Sequence, residues 1–267
     1  MAEMFMIPPD LPPVKNKFLY AYRIFIKLFS FTFFGLCSVF GSVMILPPMR
    51  LVLHPRARFQ KYARRFVSAY FRFFISMLHF LGLLTFKPGN REKYRSLSSK
   101  IIVANHPSLL DVVLTISLIP NADCITNTYL KRNILTGMVR QLYIINSEDL
   151  DSTIEACMES LKMGNCLVIF PEGTRTPRSG KAILKKGAAR IALSSGCNIV
   201  PIHIGGTDKY GLGKKDPWIS YNPQERWLYS FTMGNEINPE NYKDLPVPAA
   251  AKAITDEIKS YLFSENR

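Results

Sequence analysis

The sequence predicts an α/β fold with a mixed central sheet flanked by helices, preceded by an N-terminal membrane-associated helical hairpin. Residues 28–49 form a run of 22 residues without a charge, which is long enough for a membrane helix. After Pro88, short β-branched runs alternate with helical patterns, as in α/β domains. We therefore expect an irregular tail at 1–13, membrane-anchoring helices at 14–88 and an α/β domain with a C-terminal helix at 89–267.

The N-terminal helices are predicted from two apolar runs. The first, between Lys27 and Arg50, would cross a bilayer core as one helix, and we expect Pro47-Pro48 to end it. The second run, 73–86, has 14 uncharged residues, which suits an interfacial or buried helix better than a span. Basic residues flank both ends of the first run, so a hairpin dipping into one leaflet is favoured. A single span and a buried soluble helix pair are the alternatives.

Charge and composition indicate the class of partner. The chain has a net charge of +14 and is 48% hydrophobic and 12% aromatic. Residues 1–100 hold 16 Lys and Arg against three acidic residues, whereas 101–267 are nearly balanced, with 18 against 17. Positive charge beside apolar helices fits an anionic membrane surface rather than nucleic acid. We therefore predict membrane lipid as a partner, no nucleic acid, and an α/β domain on the cytosolic face, which is the face of the inner membrane if the protein is bacterial.

Cysteine and histidine spacing argues against a metal site or a disulfide frame. The five cysteines form no close pair, and the four histidines do not cluster with them. We expect buried, reduced thiols and no cofactor or metal; the cysteines are Cys37, Cys124, Cys157, Cys166 and Cys197.

The elements of the α/β domain follow from hydrophobic periodicity. Buried strands are predicted at 100–105, 166–171 and 198–206, and an alternating strand nearer an edge at 227–234. Helices are predicted at 108–118, 152–165, 183–196 and 249–263. Ser152 and Glu155 have the spacing of a capping box, and Gly164 and Gly196 are typical of helix C-termini.

His106 and Asp111 are the first candidates for chemistry, in the segment VANHPSLLDVV (103–113). Residues five apart on a regular helix do not face each other. Pro107, however, disfavours helical backbone at His106 and itself favours the first helical position. We therefore expect His106 in the loop before the helix, with Asp111 one turn inside. Asp111 would then orient the imidazole and leave its other nitrogen as a base. The alternative is a helix-capping histidine and an exposed aspartate.

A second cluster of functional groups follows the buried strand at 166–171. Glu172, Gly173, Thr174 and Arg175 emerge together where that strand ends, which is where α/β folds place their sites. Further cations follow and suit a phosphate group; they are Arg178, Lys181, Lys185 and Lys186. The alternative is a solvated loop.

The segments NHPSLLD (105–111), FPEGTRT (170–176) and IVPIHIGG (199–206) together resemble the glycerolipid acyltransferase family. The family pattern is NHxxxxD, then FPEGTR, then a VP-containing strand, often after a helical membrane anchor. All three motifs occur here in the family order, and the resemblance covers roughly residues 80–235. It implies a membrane-bound O-acyltransferase of the 1-acylglycerol-3-phosphate acyltransferase type.

The resemblance also implies roles for particular residues. His106 would deprotonate the acceptor hydroxyl, and Asp111 would orient the histidine and stabilise its positive charge. Glu172, Gly173, Thr174 and Arg175 would bind the acceptor head group, with Arg175 nearest any phosphate, and Pro201 would shape the site wall. The acyl donor would be an acyl-carrier-protein or acyl-CoA thioester, and no metal or organic cofactor is implied.

One departure from the family pattern concerns the acceptor. Members with phosphorylated acceptors usually carry a glycine, an aromatic, an aliphatic and then an arginine between the two main motifs. Here Gly137 and Tyr143-Ile144 fit, but Asn146-Ser147 stand where that arginine is expected. Either Arg140 or another cation substitutes, or the acceptor is a phosphate-free lipid such as an acyl-amino-acid lipid. A non-catalytic lipid-binding protein and a thioester hydrolase are the remaining alternatives.

Overall fold

A computed structural model describes residues 11–127, 143–146, 150–177 and 182–263. Its seven described strands form one sheet in the order β1-β7-β6-β2-β5-β3-β4. All neighbouring strands are parallel except β6 and β7, so the predicted mixed sheet is confirmed. The strands are β1 (Leu84–Lys87), β2 (Ile101–Ala104), β3 (Ala122–Asn127), β4 (Tyr143–Asn146), β5 (Cys166–Ile169), β6 (Ile199–Gly206) and β7 (Trp227–Met233).

Helices cover both faces of the sheet because alternate residues of its strands point to opposite sides. Ile102 packs in a core with α1, α3 and α5, whereas Ile101 and Val103 pack in a second core with α6, α7 and α8. The helices are α1 (Lys17–Phe40), α2 (Leu46–Val52), α3 (Arg56–Phe80), α4 (Arg91–Arg95), α5 (Asp111–Leu118), α6 (Leu150–Lys162), α7 (Gly187–Ser195) and α8 (Val247–Leu262).

The N-terminal apolar run continues further than predicted. A π-helical segment, Gly41–Ile45, joins α1 directly to α2, so Pro47-Pro48 do not end the helix. Proline is tolerated there because the two residues lie in the first turn of α2, after the π-helical irregularity. Lys17–Val52 is therefore one helical stretch, and by length and composition it could cross a membrane.

The N-terminal helices share a core with the sheet. Val67 and Phe71 of α3 lie in the same apolar cluster as Ile102 and Val200 of the central strands. Arg64 of α3 makes a buried two-point ion pair with Asp123 of β3, with N–O distances of 2.6 and 2.8 Å. The boundary predicted at residue 88 falls one residue after β1, which pairs with β7 of the sheet.

Three helices of the α/β domain begin at residues other than those predicted from the sequence. α5 begins at Asp111 rather than at residue 108, and α7 begins at Gly187 rather than at 183. The predicted capping box was wrong, because α6 already begins at Leu150 and therefore contains Ser152. Gly196 does end α7 in the left-handed conformation, with φ of 69°, as the sequence indicated.

Candidate active site

The centre of the sheet brings two loops together. β2 and β5 are parallel neighbours, with Val103 paired to Ile169. Their carboxyl ends therefore meet at the same edge, and the loops that follow them start side by side. The main-chain N–H of Thr176 donates to the carbonyl of His106 at 2.7 Å. The two segments singled out by the sequence, 105–111 and 170–176, thus form one continuous site.

His106 and Asp111 are in direct contact. Nδ1 of His106 lies 2.8 Å from Oδ2 of Asp111, although the two residues are five apart in the chain. Asp111 is completely buried, whereas 16% of the His106 side chain is exposed. Because a carboxylate can only accept, the proton of this bond lies on Nδ1, which leaves Nε2 as an acceptor. The alternative of an exposed aspartate is therefore wrong.

The backbone brings this pair together in a different way from that expected. Asp111 is the first residue of α5 rather than a residue one turn inside the helix, and Pro107 lies in the loop ahead of it. The loop closes because the main-chain N–H of Ser108 donates to Asp111 Oδ2 at 2.7 Å. A short polar turn, rather than a proline-initiated helix, therefore sets the spacing of His106 and Asp111.

Glu172 joins the two loops from the β5 side. Its Oε1 accepts from the main-chain N–H of His106 at 3.1 Å and from the Thr176 hydroxyl at 2.6 Å. Burial raises the pKa of the Glu172 carboxyl, and the bonds from Thr176 and His106 partly offset that rise. The other oxygen, Oε2, is buried without a hydrogen-bond partner among the described residues. A buried carboxylate with an open acceptor position can bind a hydroxyl or other donor of a ligand.

The remaining predicted residues of this loop lie beside Glu172. Gly173 has φ of 66°, a conformation that favours glycine. A Cβ at this position would lie 2.9 Å from Nζ of Lys185, so that ammonium group sits against the loop. Arg175 donates from Nη1 to the carbonyls of Leu212 and Gly213, at 2.9 and 2.7 Å. Thr174 is partly exposed between them.

Pro201 lies deeper in the fold than the other candidates. It is a buried residue of β6, paired with Val103 of β2, and its carbonyl accepts from the N–H of Gly234 at 2.8 Å. Its predicted role in shaping the site wall stays a prediction. Five further cation and loop positions considered from the sequence lie outside the described residues; they are Gly137, Arg140, Ser147, Arg178 and Lys181.

Sequence reasoning missed several residues that support the site. Asn105 exchanges two side-chain hydrogen bonds with the backbone of Ile204, which fixes the β2 loop to β6. Phe170 packs against the His106 ring with a centroid distance of 4.3 Å. The Ser108 hydroxyl lies between Asp111 and Tyr229, 2.6 Å from Oδ1 and 2.8 Å from the phenol oxygen. Asn105, Phe170 and Ser108 lie within the motifs, so their positions could have identified them as supporting residues. Nothing in the sequence identified Tyr229 in this way.

Comparison with known proteins agrees with this geometry. The Acyltransferase domain family matches residues 86–205, which include both site loops. A chloroplastic 1-acyl-sn-glycerol-3-phosphate acyltransferase of Arabidopsis thaliana is 29% identical over 185 residues, covering 65% of this chain and 51% of that protein. The enzyme of that name from Cocos nucifera is 36% identical over 118 residues, covering 40% and 37%. The chain thus spans about half the length of the curated relatives it matches.

A solved structure supports the fold. The 1-acyl-sn-glycerophosphate acyltransferase PlsC of Thermotoga maritima superposes with a TM-score of 0.63 at 19% identity, covering 90% of this chain and 97% of that chain. At this level of identity the likeness concerns the architecture alone. The match to the Acyltransferase family at residues 86–205 and the sequence relatives agree with this architecture.

Proposed function

We propose that this protein is a membrane-bound O-acyltransferase that moves a fatty acyl group from an acyl thioester to a hydroxyl of a lysophospholipid-like acceptor. The simplest acceptor is 1-acylglycerol-3-phosphate, the substrate in the names of the relatives. The observation that carries the proposal is the His106–Asp111 contact of 2.8 Å beside the buried Glu172 loop. Histidine paired with a buried carboxylate is an arrangement suited to general-base catalysis.

The proposed reaction uses both nitrogens of His106. Nδ1 donates to Asp111, and Nε2 takes the proton of the acceptor hydroxyl as the oxygen attacks the thioester carbonyl. The tetrahedral intermediate collapses with cleavage of the C–S bond, and the imidazolium returns the proton to the leaving thiolate. The products are an ester and a free thiol. The Asp111 carboxylate stabilises the positive charge that His106 carries between the two proton transfers.

The acceptor head group would lie against the Glu172–Arg175 loop. A guanidinium has five N–H donors, and the contacts of Arg175 with the carbonyls of Leu212 and Gly213 use those of Nη1. Nε and Nη2 would meet a phosphate, and the ammonium of Lys185 lies against Gly173 of the same loop. Of these two cations, Lys185 lies outside the FPEGTR motif, so it would replace the arginine expected near Asn146-Ser147. This charge favours the phosphorylated acceptor over the phosphate-free alternative.

The test is a thioester assay on the full-length protein in detergent micelles. Free thiol is measured with acyl-CoA or acyl-carrier-protein, with and without 1-acylglycerol-3-phosphate and a phosphate-free lysolipid. Acceptor-dependent thiol release supports the proposal, and the two donors distinguish between the carriers. Release without acceptor would instead indicate a hydrolase, and no turnover with any pair would indicate a non-catalytic lipid-binding protein.

His106→Ala tests the role of the base. We expect turnover to fall at least about 10³-fold, the scale of a lost general base. His203→Ala is the matched control, because that histidine lies in β6 and bonds to the Leu262 carbonyl at 2.9 Å instead of to Asp111. Turnover of His106→Ala equal to that of His203→Ala would overturn the mechanism.

The proposal includes a location. The helical stretch Lys17–Val52 and the exposed apolar side chains along it support attachment to a membrane. A cytosolic active site would give direct access to acyl-CoA or acyl-carrier-protein. Protease protection of the α/β domain in sealed vesicles of known orientation tests that location.

A further inference from the structure

Asp111 has hydrogen-bond partners in addition to His106. Its Oδ2 accepts from His106 Nδ1 and from the Ser108 main-chain N–H, at 2.8 and 2.7 Å. Its Oδ1 accepts from the Ser108 hydroxyl at 2.6 Å. Both oxygens of the buried carboxylate are thus held, so the plane in which Asp111 meets the imidazole depends on Ser108.

The direction of the hydrogen bonds around Ser108 follows from counting protons. A serine hydroxyl has one proton, and Ser108 donates it to Asp111. The same oxygen accepts from the Leu110 main-chain N–H at 3.2 Å. Tyr229, whose phenol oxygen lies 2.8 Å away, must therefore donate its own proton to Ser108. Burial and the nearby Asp111 raise the pKa of Tyr229 well above its usual value, so the phenol keeps that proton.

Lys209 lies behind the tyrosine. Its Nζ is 4.6 Å from the centroid of the Tyr229 ring and donates to the carbonyls of Gly205 and Thr207. Burial lowers the pKa of this lysine to about 8, while Asp111, Asp208 and Glu225 favour its charged form. The cation beside the ring draws electron density from the phenol and strengthens the O–H as a donor.

We propose that Ser108, Tyr229 and Lys209 form a relay that positions the Asp111 carboxylate and, through it, the imidazole of His106. This Asp111 relay runs from Lys209 to the Tyr229 ring, from its hydroxyl to Ser108, and from Ser108 to Asp111. It rests on the proposed function, because it acts through the histidine base. Ser108 and Tyr229 are positioning residues that need not touch the substrate.

The relay ties the β2–α5 loop to β7 across 121 residues of sequence. Without the phenol proton, the Ser108 hydroxyl can rotate away from Oδ1, and the carboxylate can turn about its Cβ–Cγ bond. The imidazole would follow, and Nε2 would lose its alignment with the acceptor hydroxyl. A defect of this kind lowers kcat and leaves KM nearly unchanged, because the head-group loop is not altered.

Tyr229→Phe is the direct test, because it removes one oxygen and keeps the ring against Lys209. We expect kcat to fall about 5- to 20-fold, the scale of one lost buried hydrogen bond, with KM within about twofold. Tyr94→Phe is the matched control: it removes another buried phenol, which donates to the Phe231 carbonyl at 3.3 Å. That variant should keep the kcat of the unmodified protein.

Ser108→Ala provides an independent arm, also for the case that Tyr229→Phe does not fold. It should lower kcat at least as much as Tyr229→Phe, because it removes the donor to Oδ1 itself. Because both residues act on Oδ1 of Asp111, the fold-decrease in kcat of the double variant should be smaller than the product of the two single fold-decreases. If the fold-decreases in kcat of the two single variants multiply in the double variant, a shared relay is overturned.

A spectroscopic measurement separates positioning from general destabilisation. The ¹⁵N shifts of the His106 ring should indicate one tautomer, with the proton on Nδ1, in the unmodified protein and in Tyr94→Phe. In Tyr229→Phe and Ser108→Ala, they should move toward a mixture of tautomers. Unchanged shifts and kcat in folded Tyr229→Phe would overturn the relay, whereas His106→Ala with full activity would overturn the proposed function itself.

Discussion

At the scale of single residues, Glu172 combines a structural cost with a proposed role. Its carboxylate is buried, one oxygen lacks a partner among the described residues, and burial raises its pKa above 4.5. A raised pKa in the folded state means that the ionised form is disfavoured there, so this group reduces stability as pH rises above 4.5. A loss of stability of this kind is typical of a residue that is retained for ligand binding.

The Glu172→Gln variant should therefore be more stable and less active. The difference in melting temperature from the unmodified protein should be absent below about pH 4.5, grow as pH rises, and level off above the folded-state pKa. Glu236→Gln is a control of opposite sign, because bonds from Asn198 and Lys100 lower the pKa of Glu236. That variant should lose stability near neutral pH and lose none in strong acid. Equal pH profiles for the two variants would contradict this account.

Lys185 and Lys186 offer a second matched pair. Both lysines are exposed, but the ammonium of Lys185 lies against Gly173, whereas Lys186 is the N-cap residue of α7. Lys185→Ala should raise KM for 1-acylglycerol-3-phosphate about tenfold, the scale of one charge-assisted hydrogen bond. It should not change KM for a phosphate-free lysolipid, and Lys186→Ala should change neither. An equal effect of Lys185→Ala on both acceptors would remove Lys185 from the phosphate site.

The sequence was sufficient for the residues that lie in motifs at the ends of predicted strands. His106, Asp111 and Glu172 could be placed because motifs at the ends of parallel strands converge at one edge. The Tyr229 contact could not, because 121 residues separate Tyr229 from Ser108 and the pairing of β7 with β1 and β6 brings it there. The proposed Asp111 relay thus depends on the tertiary fold.

At the scale of elements, the connection between β6 and β7 (residues 207–226) links α1 to the candidate site. Lys27 of α1 is fully buried under it and donates to the carbonyls of Gly211, Trp218 and Ser220. On its other side, the Leu212 carbonyl accepts from the Leu109 N–H at 3.1 Å. Lys27, which directly precedes the first apolar run, thus connects α1 to the loop that contacts both halves of the candidate site.

Lys27→Ala should loosen this connection. Three buried carbonyls would lose their common donor, which should lower the free energy of unfolding by about 2–4 kcal/mol. Limited trypsin digestion gives a local measurement, because Lys214 and Lys215 are exposed cleavage points in the same segment. Cleavage there should be faster in Lys27→Ala than in Lys17→Ala, which removes an exposed lysine of the same helix. Equal cleavage rates in the two variants would mean that Lys27 does not hold the segment.

Element types were predicted more reliably than element ends. β2, β5 and β6 were found where short β-branched runs indicated them, and β7 was found where the alternating pattern did. The helix through Pro47-Pro48 was missed because a π-helical segment changes which backbone groups need partners. No residue type marks a π-helical segment in the sequence. The wrong helix end predicted at Pro47-Pro48 could therefore be corrected only from the backbone structure.

At the scale of the whole molecule, exposed apolar side chains concentrate on the N-terminal helices. Fourteen of the 20 exposed large hydrophobic residues in the described part of the chain lie from Phe18 to Phe80. Five exposed basic residues occupy the same region; they are Arg50, Arg56, Arg58, Lys61 and Arg65. An apolar surface bordered by cations matches the acyl region and anionic head groups of a bilayer. The α/β domain is attached to this surface through α3 and Lys27.

This surface predicts how the protein leaves a membrane. It should sediment with vesicles containing anionic lipid and be released by detergent, but not by high salt, because salt screens the basic residues and not the apolar ones. Phe25→Ser with Phe29→Ser should weaken vesicle binding at least about tenfold, since both rings are more than half exposed and would lose burial in lipid. The matched pair Leu245→Ser with Val247→Ser removes exposed apolar groups from the α/β domain and should leave binding unchanged. Release by salt alone would mean that the Lys17–Val52 stretch lies on the bilayer without entering it.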